Sequence, residues 1–193
     1  MDLYQQEIND LCMPLKPIFE ANRFPSDGRL TMIYETKNIT KKYEKKLFKW
    51  SKNITNNKPE KLKIMNIGVP QGCHFNCQII KSAYQDRFRI ATGYNLFMCP
   101  CGNECYGEVH SVLYDLKNNK YLDITEDMFD ETEKYFVELD NFTGNYIPFL
   151  RITKNRDFDS ISSKKKRCSS CGIDDINAIN VWTDINKIKN LFK

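Results

Sequence analysis

The chain has 193 residues, 41% of them hydrophobic and 12% aromatic, and a formal net charge of +4. That suffices for one domain with a real core. It excludes a spanning helix, since no apolar run approaches the roughly 20 residues needed, and so mild a positive charge does not by itself point to nucleic acid.

The polar start, MDLYQQEINDL, lacks the basic and apolar regions of a secretory leader. Five of the eight cysteines sit in two tight clusters. Such spacing suits metal better than a disulfide framework, so a reducing, cytoplasmic setting is expected. The expected organisation is a helical region over 1–60 packed on the core, a core over 61–150, and a linker with a C-terminal tail over 151–193.

Asp2 can cap a first helix whose apolar stripe is Tyr4, Ile8, Leu11 and Cys12, with Pro14 and Pro17 stopping it. A second helix starts near Thr40, carries Leu47, and ends at Asn56-Asn57-Lys58-Pro59. Helical spacing of Cys73, Cys77, Ile80, Ala83 and Tyr84 predicts a helix over 73–86. Strands are expected over 88–97, 108–115 and 121–125, with a cysteine-rich loop over 98–107. An acidic helix is expected over 126–139, burying Phe129, Phe136 and Val137. Residues 153–167 read as a polar, basic linker, and 173–192 as a tail ending in a helix with Trp182, Ile185, Ile188 and Leu191.

A thiol nucleophile needs a stabilised thiolate, a histidine within reach, and a group that fixes the imidazole tautomer. Cys73 follows the loop-like Pro70-Gln71-Gly72 and opens a helix-spaced pattern, where free N–H groups and the helix dipole favour an anion. Its own N–H can serve as an oxyanion donor. His110 is one of only two histidines and lies in a strand-like run. With a four-residue loop over 116–119, Asp115 pairs with Lys120 and Asp123 falls opposite Val112. Asp123 is then diagonal to His110 on one face, about 7–8 Å away between backbones. A two-residue turn at Asn118-Asn119 keeps the face but doubles the offset. Taken singly, each of the three residues also fits a bland role: a core cysteine, a core histidine, and an aspartate leading to a helix cap at Thr125. His74, next to Cys73, reads as surface or as a residue behind the site, and Cys77, the competing nucleophile one turn on, as core-facing.

The stretches GCHFNC (72–77), FRIATGYNLF (88–97), EVHSVLYD (108–115) and KYLDIT (120–125) are where a resemblance enters. Cysteine at a helix start, a strand with Gly-Tyr, histidine on the next strand and aspartate on the one after is similar to the transglutaminase-like branch of the papain-like cysteine hydrolases. The arylamine acetyltransferases share the order. The resemblance covers about a third of the chain, and Val112 departs from the aromatic usual there. It implies an α+β fold with a nucleophile-bearing helix packed on an antiparallel sheet. It also implies Cys73 as nucleophile, His110 as base and Asp123 as orienter. Asn76 also matches a position used in small proteins of this type.

Cys99, Cys101 and Cys105 form one cluster, Cys168 and Cys171 the other, a C-x-x-C followed by Gly172. The second cluster and two cysteines of the first can make a tetrahedral structural zinc site that ties the tail to the loop; spacing leaves open which two. The run Lys164 to Arg167 reads as solvated linker rather than a nucleic-acid site. The reading is a cysteine hydrolase or acyltransferase acting on a peptide, amide or isopeptide bond, with no membrane or nucleic-acid partner. The competing reading is a silent zinc-stabilised interaction module, nucleic-acid binding among its options.

Overall fold

The structure, a computed structural model, describes residues 2–21, 41–52, 55–70, 72–98, 105–126, 134–140, 149–152 and 158–160. The fold is α+β. Helix α1 spans Leu3–Cys12, and the Asp2 carboxylate accepts from the Gln5 N–H at 2.7 Å, the cap expected from sequence. The chain does not stop at the prolines. Pro14 enters a 3-10 turn, Met13–Leu15, and Pro17 lies in the first turn of α2, Lys16–Ala21. At those positions a missing N–H breaks no helical bond. Helix α3 is Lys41–Ser51 and α4 is Cys73–Ala83.

Eight strands follow in chain order: β1 Glu60–Lys61, β2 Lys63–Ile64, β3 Phe88–Met98, β4 Cys105–Asp115, β5 Lys120–Asp123, β6 Tyr135–Glu138, β7 Phe149–Ile152 and β8 Phe158–Ser160. Two sequence expectations fail here. Of the acidic helix expected over 126–139, residues 127–133 lie outside the described residues, and 135–138 form β6, whose four residues YFVE pair with β3 and β1. Aromatic and β-branched residues buried on alternate faces suit a strand covered on both sides. The linker over 153–167 contains β8, paired with β7. The cysteine-rich loop is also shorter than expected, because Met98 and Cys105 are paired strand residues.

The main sheet runs β1-β6-β3-β4-β5-β2. Its two ends are separated in sequence only by Leu62, whose N–H donates to the Lys134 carbonyl at 2.9 Å. β1 is antiparallel to β6 and β2 parallel to β5, so both run the same way and act as one strand. The sheet therefore closes on itself as a small barrel. Leu62, Ala91, Val112, Tyr121 and Phe136, drawn from every wall, fill its interior. Outside, α1, α2 and α4 pack Ile8, Cys12, Phe19, Cys77 and Ile80 against Phe88, Leu113, Leu122 and Ile124. The N-terminal helices thus contribute directly to the core. On the same outer side Leu47 of α3 packs on Tyr94, Leu96 and Val137.

Two features position the site. Gly93 lies between His110 and Glu138, and a Cβ there would stand 1.9 Å from the Val137 carbonyl oxygen, so β3 and β6 meet this closely only through glycine. The second is a gap. β3 pairs with the whole of one edge of β4. On the other edge β7 takes residues 105–108 and β5 takes 113–115, leaving 109–112 between them. The first turns of α4 dock there, the Cys77 thiol donating to the Ser111 carbonyl at 3.4 Å.

Candidate active site

His110 and Asp123 meet as the four-residue loop requires. Asp115 pairs with Lys120 and Leu113 with Leu122, which sets Asp123 opposite Val112 and diagonal to His110. Both side chains face the barrel interior. The His110 Nε2 lies 3.0 Å from Asp123 Oδ2, with 12% of the imidazole and 1% of the carboxylate exposed. Burial alone would lower the His110 pKa. The Asp123 charge, then the Cys73 charge and hydrogen bonds from both, override it and lift it well above the ordinary value. Burial likewise works to raise Asp123, but His110 first, then Lys134 and the Thr125 N–H, hold it below the carboxylate norm.

Cys73 comes next. It is a free, half-buried thiol at the first residue of α4, near enough to His110 to help raise the imidazole's pKa. Since Nε2 is taken by Asp123, Nδ1 is the ring nitrogen left for the thiol. Gly72 caps α4 without a side-chain bond, so no capping group competes with an anion for the first-turn N–H groups. Cys77, one turn on, is fully buried, and burial pushes its thiol well up, with the Cys73 and Asp123 charges adding to the effect. That environment suits packing, not attack.

Asn76 stitches the parts together. Fully buried, it accepts from the Val69 N–H at 3.2 Å, donates to the Val69 carbonyl at 2.7 Å, and reaches Thr125 Oγ1 at 3.4 Å. Val69 belongs to the approach to Cys73, and Thr125 donates its N–H to Asp123 Oδ1 at 3.1 Å. One amide thus fixes the loop before Cys73 against the loop after Asp123. Gly68 makes room for it, because a Cβ there would be 2.5 Å from Asn76 Cγ. The segment is further tied down by N–H groups of Met65 on Asp123 O and of Ile67 and Gly68 on Ile124 O.

His74 is exposed, as expected. Its Nδ1 lies 3.2 Å from Ser111 Oγ and its Nε2 3.0 Å from Gln78, and cover on the Ser111 side lowers its pKa. Lys134, buried and 3.9 Å from Asp123 Oδ2, was not singled out by sequence. Its signal was parity with Phe136 and Glu138, hidden while the segment read as helix. Of the metal candidates, Cys99, Cys101, Cys168 and Cys171 lie outside the described residues, as does Gln71, and Cys105 is described only as the first residue of β4. Among the described residues no cluster of three or more His, Cys, Asp or Glu is arranged for a metal ion, and no helix is long and apolar enough to cross a membrane. Comparison with protein-family models, curated proteins and solved structures finds no match for the chain.

Proposed function

We propose that the protein is a cysteine-dependent hydrolase or acyltransferase acting on an amide or isopeptide bond through a thioester, on a core of the transglutaminase-like type. The observation that carries the proposal is the row from a helix-start thiol through an imidazole to a buried carboxylate. The resemblance in residue order supports it independently.

Asp123 accepts from His110 Nε2–H and so fixes the tautomer whose Nδ1 is basic. Nδ1 takes the Cys73 proton, and the thiolate attacks the carbonyl carbon. The oxyanion forms against the N–H groups of the first turn of α4. The imidazolium then passes its proton to the departing amine, the C–N bond breaks, and a thioester remains. Water or a second amine attacks it, giving its proton to His110, and collapse returns the thiol. Asp123 is an orienter, not a proton acceptor, because three partners hold its charge against the cost of burial.

The test is alkylation at neutral pH with site mapping by mass spectrometry. Cys73 is expected to react with iodoacetamide faster than Cys12, whose pKa burial pushes up to about 12, or Cys77. The advantage should vanish in His110→Ala. Equal sluggishness of all three thiols in folded protein would overturn the proposal.

A further inference from the structure

The site contains one more charged group than the reaction as written uses. Lys134 lies just before β6 and shares the parity of Phe136 and Glu138, so its side chain enters the barrel interior from the wall opposite Asp123. Only 7% of it is exposed, and its Nζ is 3.9 Å from Asp123 Oδ2. That is the oxygen that accepts from His110 Nε2, while Oδ1 is occupied by the Thr125 N–H. An interior lysine is costly unless a negative charge meets it.

We infer that Lys134 is a positioning residue for the site: by sharing Asp123 Oδ2 with His110, its ammonium sets how tightly the carboxylate holds the imidazolium. The inference rests on the cysteine-nucleophile reading and adds a regulator to it. A carboxylate with no second cation would grip the imidazolium fully and oppose release of its proton to the leaving amine. With Lys134 alongside, part of the carboxylate's field is spent on the ammonium, and proton return becomes easier. Other titratable groups face the same interior or belong to α4. Glu138, on the same interior face, is held by both guanidinium nitrogens of Arg89 and by the Tyr121 hydroxyl at 2.7 Å. Glu108 lies two residues from His110 on β4, on the same face, and Tyr114 four residues along. From α4, Cys73 lies near the ring itself, Cys77 is fully buried, and His74 turns to Ser111 and Gln78.

The test uses iodoacetate on the full chain. Its carboxylate is drawn to an imidazolium, so the Cys73 rate against pH is a bell whose alkaline limb marks loss of the His110 proton. In Lys134→Met and Lys134→Gln the alkaline limb is expected to move up by about one pH unit, the scale of one nearby charge. Lys134→Arg should keep the wild-type limb, and Asp123→Asn should move it down. A Lys134→Met profile that superimposes on a bell-shaped wild-type profile would overturn the inference and leave the nucleophile reading intact. A wild-type profile with no bell would instead remove the nucleophile reading. If both neutral variants fail to fold while Lys134→Arg folds, the ammonium serves stability and the inference is likewise overturned.

Discussion

Replacing Asn76 separates the architecture of the site from its chemistry, because the residue touches no reacting atom. In Asn76→Ala the Val69 N–H and carbonyl both lose their partner, at a residue only 2% exposed. Each buried, unpaired peptide group costs about 1–3 kcal/mol, so the pair costs about 2–6 kcal/mol. A domain commonly has about 5–15 kcal/mol in all. With a urea slope of about 2–3 kcal/mol per molar, the unfolding midpoint should fall by about 0.7–3 M. Asn76→Asp keeps the acceptor for the Val69 N–H but loses the donor and sets a negative charge against the Val69 carbonyl. It should be at least as damaging at neutral pH and recover as pH falls, because protonation restores an O–H donor in the folded state. Urea melts at pH 7 and pH 5, with alkylation of Cys73 in the folded protein, check both parts. An unchanged midpoint in Asn76→Ala, with Cys73 labelled at the wild-type rate, would refute the claim that this amide holds the two loops together.

Three other outcomes are expected. Gly93→Ala should destabilise the protein by about 1–3 kcal/mol or more, read from urea melts, because its methyl group meets backbone rather than a movable side chain. Burial opposes charge on Asp115, but hydrogen bonds from Asn118, Arg87 and Tyr4 hold its carboxyl below the usual range. Its contribution is therefore present above the ordinary carboxylate pKa and lost as pH falls through the lower folded value, so the stability gap between wild type and Asp115→Asn should close on acidification. If Cys168 and Cys171 bind zinc with two of Cys99, Cys101 and Cys105, atomic emission should find one zinc per chain, and Cys168→Ser should lose it; metal-free folded protein of wild-type stability would dismiss the clamp.

The centre of the molecule was legible from sequence because its signals are local. Alternation over 88–97 and 108–115, helical spacing after Cys73, and a polar turn at Leu116 to Asn119 are each read within a dozen residues. Together they give the diagonal between His110 and Asp123. What escaped depends on distant pairing. Tyr135 to Glu138 is too short to declare a period, and its place beside β3 is decided by Gly93, some forty residues earlier. Glu60 to Ile64 carries no strand pattern of its own and is extended because β6 and β5 both lack a neighbour. Asn76 was noticed without a role, since its partners Val69 and Thr125 come together only in the folded chain. Lys134 was missed with the strand it precedes.

Closure of the barrel through Leu62 also has a consequence for synthesis. The strand that closes it is made early, yet one of its two partners, β6, is made some seventy residues later and must enter between β1 and β3. Until that stretch has left the ribosome, Glu60 and Lys61 have no neighbour, β3 has a bare edge, and Lys134 is absent from behind Asp123. A growing chain therefore carries Cys73 well before it can carry the assembled row of groups around it. Truncated or stalled products ending before β6 would carry Cys73, His110 and Asp123 without the wall that closes the barrel around them.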